Sequence, residues 1–432
     1  MTRLGIGLDF GTTNSALAMA GAEGSPRVAT FAARDGETPF FRSVLYVGRE
    51  DREDLLESAA GPLAIERYLA NEGERRLMQS LKSFLGSRLF TSTNLFGRTT
   101  TLEELIGRIA RAVWSEGGGA ECAQRAAVVV GRPVRFARAK GVEDDAFAVS
   151  RLESALSLAG IERFAFELEP VAAAYHYEQG LDRDELVLIA DFGGGTSDFC
   201  VLRVGPGARG RARREEDVLG TDGVGIAGDA FDAKLVRHLI APRLGRGTVH
   251  DTLFGRAIPV PGWIYADLER WHHLSFLRSP KTLALLHEIR RGASEPEQIS
   301  ALIHIVERDL GYALYRAIER TKTELSQQEE SVFRFDDPPV SIEARVRRAE
   351  FEEWIADEVA EIAACVDRLL ERTGESEVDR VFMTGGSSFV PAVRRIFEER
   401  FGPERLRSGA ELTSVASGLA LCARDRAGQR TR

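Results

Sequence analysis

The pattern of apolar and polar residues along this chain predicts two similar hairpins that lie far apart in the sequence. Near the N-terminus an apolar run, LGIGLDF, leads through the turn GTTN into a second run, SALAMA, over residues 4–20. The stretch LVLIADFGGGTSDFCVLRV, residues 186–204, repeats this order of strand, glycine turn and strand. Short apolar runs bounded by turn residues predict buried strands. The recurrence of the hairpin predicts a duplicated domain with a cleft between its halves.

The segments around the hairpins follow helical and strand patterns in alternation. Segments rich in apolar residues predict strands over 126–134 and 378–386. Helical spacing of apolar residues predicts helices over 62–69, 75–85, 102–114, 143–158, 169–178, 391–401 and 412–424. A proline-marked aromatic segment, residues 258–273, interrupts the mostly helical region after residue 231. Strands that alternate with helices indicate an α/β fold.

The amino-acid composition limits the classes of protein to which this chain can belong. Hydrophobic residues make up 44% and charged residues 28% of 432 residues, as in a globular protein. No apolar run approaches the length that a membrane-spanning helix needs. The net charge of -9 argues against binding nucleic acid. Because no two of the four cysteines form a C-x-x-C pair, we expect neither a disulfide framework nor a zinc site, and a reducing cytoplasm fits best.

The residues of the two turns are those that a phosphate group requires. Glycine lets backbone N–H groups approach a ligand closely, and successive N–H groups in a turn form a concavity that binds anions. The first turn offers Gly11, Thr12 and Thr13, and the second offers residues 193–196 with the sequence GGGT. The alternative is that both are ordinary strand turns. The pattern G-x-x-x-x-G-K-[ST] is absent, which excludes a P-loop.

An aspartate precedes each turn, and these carboxylates point to a divalent cation. Asp9 and Asp191 would repel a polyphosphate unless a cation lay between them. Magnesium suits this place because it keeps several waters and binds through a few carboxylates together with phosphates. We therefore expect Asp9, Asp191 and Glu169 to hold hydrated magnesium and to polarise an attacking water.

At these motifs the chain resembles the ATPase domain of the DnaK-type chaperones of the heat-shock-protein-70 family, within the actin and sugar-kinase superfamily. GIGLDFGTTNS and ADFGGGTSDF are similar to the family's two phosphate loops, and LEPVAAAYHYE is similar to its connecting helix. GIAGDAFD resembles its LGGEDFD segment, ERTKTELS its adenosine helix and VFMTGGSSFVP its adenosine loop. LKSFLG, VVVGRPVRF and the GWIYAD region look more narrowly like the YegD-like branch, which lacks a peptide-binding domain.

The resemblance implies an α/β, two-lobed actin-like ATPase fold built from duplicated ribonuclease-H-like domains, with four subdomains and a central nucleotide cleft. Lobe I would hold residues 1–185, with 406–432 returning to it, and lobe II would hold 186–405. The ligands implied are ATP or ADP and Mg²⁺. The chain ends where the family's interdomain linker begins, so we expect no C-terminal peptide-binding domain.

The resemblance also assigns roles to individual residues. Catalytic roles fall on Asp9, Glu169, Asp191 and Thr196, and Asp9 and Asp191 would hold magnesium through water. Nucleotide binding falls on Gly11, Thr12, Thr13, Asn14, Gly193, Gly194, Gly195, Glu319, Lys322, Ser326, Gly385, Gly386, Ser387 and Phe389. For Glu319 and Lys322, the alternative is a solvated pair one turn apart on an exposed helix.

Two departures from the family pattern affect the expected activity. The family's catalytic lysine lies upstream of the segment matched by Lys82, and by spacing Ile65 takes its place. Without that lysine the transition state would lose electrostatic stabilisation, so we expect slow or vestigial hydrolysis. The family holds adenine between two arginines, where this chain has Thr323 and Phe389. Phe389 either stacks on the base or belongs to the core.

These patterns favour an ATP-binding, slowly hydrolysing chaperone-family protein that acts as a nucleotide-switched module. Its partner or client would bind through a surface that the sequence does not identify. Two alternatives stay open: a small-molecule kinase of the same superfamily and a non-hydrolysing nucleotide-binding scaffold. The aromatic residues of 258–273 favour a small local core over a partner surface, and His272 and His273 lack a third ligand for a metal.

Overall fold

A computed structural model describes residues 4–33, 36–49, 56–71, 74–209, 214–252, 255–270, 277–408 and 413–429. The chain forms two compact units. The first comprises Met1–Ala227, Glu361–Ser388 and Val393–Arg432, and the second comprises Gly228–Ala360 and Phe389–Ala392. The lobe boundaries expected from the sequence, 1–185 with 406–432 and 186–405, stay a prediction.

The strands of the described residues are numbered in chain order. They are β1 Leu4–Asp9, β2 Asn14–Ala20, β3 Arg27–Val28, β4 Phe31–Ala33, β5 Gly36–Thr38, β6 Phe41–Arg42, β7 Val44–Arg49, β8 Leu56–Ala60, β9 Arg75–Gln79, β10 Ser92–Leu95, β11 Arg98–Thr101, β12 Ala126–Arg132, β13 Ala165–Leu168, β14 Glu185–Phe192, β15 Ser197–Val204, β16 Val218–Val224, β17 Val249–Asp251, β18 Ala257–Pro259, β19 Glu330–Asp337, β20 Val340–Arg347, β21 Arg380–Thr384 and β22 Leu406–Ser408.

The α-helices of the described residues follow the same order. They are α1 Gly61–Ala70, α2 Leu102–Glu116, α3 Gly119–Cys122, α4 Val142–Leu158, α5 Glu169–Glu178, α6 Gly228–Leu235, α7 Gly262–Leu268, α8 Pro280–Gly292, α9 Pro296–Glu307, α10 Gly311–Gln327, α11 Arg348–Trp354, α12 Ala356–Thr373, α13 Pro391–Phe401 and α14 Ser414–Gln429. A short 3₁₀ helix, Leu81–Phe84, contains Lys82.

Two sheets of the first unit share one strand order, which confirms the predicted internal repeat. In the first sheet the order is β13-β12-β1-β2-β3, and in the second it is β22-β21-β14-β15-β16. In each, the opening strand of a predicted hairpin pairs antiparallel with its return strand and parallel with a strand from later in the chain. The two hairpins therefore occupy equivalent places in the two sheets.

Helices α5 and α14 lie between the two sheets. Helix α14 packs on β1, β2 and β12, helix α5 packs on β14 and β15, and the helices contact each other. Their alanine-rich faces form one apolar cluster with both sheets. Small residues allow this close approach: a Cβ on Gly418 would lie 1.6 Å from the Ala172 carbonyl oxygen, and one on Gly7 would lie 2.3 Å from the Ala420 nitrogen.

A second apolar cluster covers the other face of the first sheet, where α2 packs against α4. Helix α2 begins at a capping box, in which Thr101 and Glu104 each accept a hydrogen bond from the other's backbone N–H. Its apolar residues recur at helical spacing and are buried. The sequence predicted this helix within a few residues.

The segment 75–85, predicted as a helix, is a strand followed by a 3₁₀ turn, so that prediction is wrong. Strand β9 pairs antiparallel with β7, and Leu77 lies opposite Tyr46. Ser80 then takes a left-handed conformation, with φ of 53°, before the 3₁₀ helix begins. Sheet pairing outweighs the helical spacing of the apolar residues here.

The second unit holds helices α6 to α11 and the hairpin of β19 and β20. Helix α10 packs on β19, and α11 packs on β20. In the aromatic segment, Tyr265 is buried and donates a hydrogen bond to the Leu244 carbonyl oxygen, whereas Trp263 is 46% exposed. Trp271, His272 and His273 lie outside the described residues. No helix in the described part of the chain is both long and apolar enough to cross a membrane.

Candidate active site

The two glycine turns face each other within the first unit. A Cβ built on Gly195 would lie 3.5 Å from Thr12 Oγ1, so the second turn approaches the first closely. The Gly193 N–H closes the second turn on the Thr196 carbonyl oxygen at 2.9 Å. In the first turn, a Cβ on Gly11 would lie 2.0 Å from the Asn14 carbonyl oxygen, so the turn requires glycine there. The structure brings together the two turns that the sequence predicted as phosphate loops.

Side chains behind the first turn hold its shape. The Gly11 N–H donates to Ser15 Oγ at 3.2 Å, and the Ser43 N–H donates to the Thr13 carbonyl oxygen at 2.9 Å. Arg42 donates to the side-chain oxygen of Asn14 at 3.3 Å. Asn14 therefore helps to position the strand that leaves the turn, and its role in nucleotide binding stays a prediction.

Carboxylates converge at the ends of the central strands. Asp9 ends β1, Asp191 lies near the end of β14 with Asp198 opposite it on β15, and Glu169 begins α5. Burial, and then the charge of Glu169, raise the pKa of Asp9 to about 7. Burial and the charges of Glu169 and Asp9 raise the pKa of Asp191 well above its usual range. Electrostatic repulsion of this kind is relieved by a cation.

Lys82 supplies one cation at this cluster, which corrects the expectation that the site lacks a lysine. Its Nζ lies 2.7 Å from Glu169 Oε1, and both side chains are at least nine-tenths buried. Burial lowers the pKa of Lys82, but the charges of Glu169 and Asp9 outweigh this effect and leave that pKa above its usual value. Ile65 lies instead on α1, which packs on β7. The family spacing placed the expected lysine at position 65, whereas the structure places Lys82 at the cluster, on the 3₁₀ helix that follows β9.

Asp198 also belongs to the cluster, and sequence reasoning missed it. Its Oδ1 accepts hydrogen bonds from the N–H groups of Val134 at 2.8 Å and Arg135 at 3.2 Å. Burial and the charge of Glu169 raise the pKa of Asp198 to about 7. Hydrogen bonds from Thr196 and from these two N–H groups lower the pKa but do not outweigh this effect. The signal was available: Asp198 is a carboxylate inside a strand whose other residues are almost all buried.

The predicted nucleoside loop lies against the second turn. Gly385 has φ of 83°, and a Cβ there would lie 2.0 Å from the Phe192 carbonyl oxygen, directly before Gly193. The Ser388 N–H and hydroxyl both donate to the Gly385 carbonyl oxygen, which closes the loop. Gly385 thus lies beside the second turn, and Gly386 and Ser387 follow it in the same loop; their nucleoside-binding roles stay predictions.

The residues predicted to face adenosine lie in the second unit. Glu319, Lys322 and Ser326 lie on α10. Lys322 Nζ lies 2.7 Å from Asp232 Oδ1, and its side chain is 19% exposed, so a solvated pair does not describe it. Phe389 is 52% exposed, which excludes the alternative that it belongs to the core. The adenosine roles themselves stay predictions.

Across the described residues, no three His, Cys, Asp or Glu side chains are arranged to hold a metal ion directly. The fit to magnesium rests instead on the carboxylates at the two turns. Asp9 and Asp191 are buried enough, and close enough to Glu169, for burial and charge repulsion to raise both pKa values. A hydrated divalent cation suits such oxygen ligands.

Comparison with known proteins gives one family. The family model described as Hsp70 protein matches residues 150–246 and 306–431, which is about half of the chain. Over 446 aligned residues the chain is 26% identical to the chaperone protein DnaK of Thermus thermophilus, and over 442 residues it is 25% identical to that of Deinococcus deserti. It is 23% identical over 429 residues to the DnaK of Thermotoga petrophila. Each alignment covers 96% of this chain but 58% to 60% of the relative, so the chain spans less than two thirds of their length.

Proposed function

Since this chain belongs to the Hsp70 family and has its actin-like ATPase fold, we propose that it binds ATP with magnesium between the two glycine turns and hydrolyses the terminal phosphate. One observation carries the proposal. The two turns face each other beside a buried cluster of carboxylates that also contains a lysine. The chain's narrower placement in the YegD-like branch is a further prediction.

Backbone N–H groups of the turns would bind the phosphate chain. Turn 11–13 and turn 193–196 offer these donors from opposite sides, and the hydroxyls of Thr12 and Thr13 add further donors. Thr196 is already hydrogen-bonded to Asp198, so its hydroxyl positions that carboxylate. The site thus binds anions chiefly through the backbone, as a glycine-rich turn allows.

The carboxylates would hold the cation and the water. Asp9 and Asp191 lie at or near the ends of equivalent strands and would be the ligands for hydrated magnesium, which would offset the negative charge of the phosphates. Asp198 is fixed by two backbone N–H groups, and Glu169 is fixed by Lys82. Carboxylates held in this way can orient a water and accept its proton.

Lys82 would supply the positive charge that stabilises the transition state. Phosphoryl transfer depends mainly on positioning and on electrostatic stabilisation of the charge on the transferred group. Lys82 is buried and already paired with Glu169, so little reorganisation is needed during the reaction. With Lys82 present, the absence of a lysine at position 65 is no longer a reason to expect vestigial hydrolysis.

The residues predicted to face adenosine would bind the nucleoside. Glu319, Lys322 and Ser326 follow one another on α10 at helical spacing, and Lys322 is held in place by Asp232. The exposed ring of Phe389 offers a flat face for the base. We further propose that ATP binding and hydrolysis switch the protein between two states, as expected of a nucleotide-switched module. Partner proteins or clients would bind according to the nucleotide state.

The test compares Lys82→Met with Lys281→Met, which removes an exposed lysine from α8. Single-turnover hydrolysis of radiolabelled ATP is measured with magnesium, alongside ATP binding and thermal unfolding. Loss of one preorganised electrostatic contact should slow hydrolysis about 100-fold or more in the first variant. The second variant should behave as wild type. Wild-type protein that binds ATP but never cleaves it would support a non-hydrolysing scaffold, and transfer of label to an added hydroxyl compound would support a kinase.

A further inference from the structure

Ser83 lies at the junction of the two turns, although neither the sequence motifs nor the family resemblance gave it a role. It follows Lys82 on the 3₁₀ helix Leu81–Phe84 and is 6% exposed. A Cβ built on Gly195 would lie 3.2 Å from Ser83 Oγ, closer than to Thr12 Oγ1 at 3.5 Å. The hydroxyl therefore borders the same space as the second glycine turn.

The Ser83 hydroxyl is buried without a hydrogen-bond partner in the described part of the protein. The backbone at this residue does have a partner, since the Ser83 N–H donates to the Ser80 carbonyl oxygen at 3.0 Å. A buried hydroxyl without a partner costs free energy that a hydrogen bond would restore. A ligand oxygen in the space between the turns would be such a partner.

The surroundings indicate which ligand oxygen this is. The groups that share the space with Ser83 are a glycine turn rich in N–H donors and the hydroxyl of Thr12, all of which suit an anion. The preceding residue, Lys82, is held at the carboxylates by its contact with Glu169. If hydrolysis takes place at these carboxylates, the phosphate beside Lys82 and Ser83 is the one that is transferred, which is the terminal phosphate.

We propose that Ser83 Oγ donates a hydrogen bond to the terminal phosphate of bound ATP and thereby raises the affinity for ATP over ADP. One short helix would then deliver two groups to the transferred phosphate: the ammonium of Lys82 and the hydroxyl of Ser83. The proposal rests on the ATP site proposed above and adds to it a residue that discriminates between the two nucleotides.

The experiment measures binding to the Ser83→Ala variant by calorimetric titration. Two ligands are used, ADP and a non-hydrolysable imido analogue of ATP, each with magnesium. Loss of a hydrogen bond to a charged group should weaken the analogue about tenfold or more and leave ADP little changed. The nucleotide-free variant should melt at the same temperature as wild type or higher, because the buried hydroxyl without a partner is gone.

Thr100→Val is the matched control. Thr100 Oγ1 is also buried without a partner among the described residues, but it lies on the β10–β11 hairpin. This variant should bind both nucleotides as wild type does. Unchanged affinity of Ser83→Ala for the analogue, or an equal loss for both nucleotides, would overturn the role of Ser83 while leaving the ATP site standing. Wild-type protein that binds neither nucleotide would overturn the ATP site and the role of Ser83 together.

Discussion

Replacing Asp9 with asparagine should make the nucleotide-free protein more stable at alkaline pH, although Asp9 is part of the proposed site. In the folded protein, burial and the charge of Glu169 raise the pKa of Asp9 from 3.8 to about 7. The unfolded chain loses this proton near pH 3.8 and the folded protein loses it near pH 7. Between these values the folded state binds more protons, so its stability falls as the pH rises.

The size of the effect follows from the shift. Each pKa unit corresponds to about 1.4 kcal/mol, so the charged carboxylate costs the folded state about 4 kcal/mol at most above pH 7. Asp9 keeps partial exposure to solvent, which makes this an upper limit. Because asparagine has a similar shape and no charge, the Asp9→Asn variant should gain up to this amount at about pH 8, and about 1.5 kcal/mol near pH 5.

The assay is urea unfolding of both proteins from about pH 5 to pH 8, with a chelator present and no nucleotide. Asp182→Asn serves as control, because Asp182 is exposed in the turn after α5. The control should change stability little at any pH. A variant no more stable than wild type at pH 8, or a difference that shrinks as the pH rises, would refute the assignment of Asp9 to a buried, mutually repelling cluster.

Two further predictions test the packing and the nucleoside site. In urea unfolding, Gly418→Ala should destabilise the protein by about 3 kcal/mol, because the added Cβ would meet the backbone of α5. Gly21 is exposed, and Gly21→Ala should change the stability by less than about 0.5 kcal/mol. Equal stability of the two variants would contradict close packing of α14. Phe389→Ala should weaken ATP binding without changing the melting temperature, because the Phe389 ring is exposed. Trp263 is a similarly exposed aromatic residue of the same unit, and the Trp263→Ala variant should bind ATP normally. Unchanged affinity of the Phe389 variant in calorimetry would reject stacking on the base.

The sequence predicted the features that repeat or that follow a strict period. The two hairpins, their equivalent places in two sheets and the helices α2 and α5 are encoded by local patterns of apolar residues and turns. Glu169 was also predicted, through the resemblance of LEPVAAAYHYE to the family's connecting helix, and it begins α5 directly before Pro170. For such elements the local signal and the tertiary structure agree.

The position of Lys82 in the folded protein could not be predicted from the local pattern of apolar residues. Residues 75–85 have apolar positions at helical spacing, but β9 pairs with β7, a strand from earlier in the chain. Pairing between strands distant in sequence leaves no local trace, and the spacing of the family pattern placed the expected lysine at position 65 instead. Asp198 was missed for a different reason: a carboxylate inside a buried strand was a signal that went unused, and its partners, the backbone N–H groups of residues 134 and 135, are distant in sequence.

The most direct test of the central claim is a calorimetric titration of the wild-type protein with ATP, with magnesium and again with a chelator. Two facing glycine turns beside buried carboxylates predict one ATP per chain, bound more weakly when the divalent cation is removed. Absence of ATP binding under both conditions would contradict the assignment of these turns as a nucleotide site.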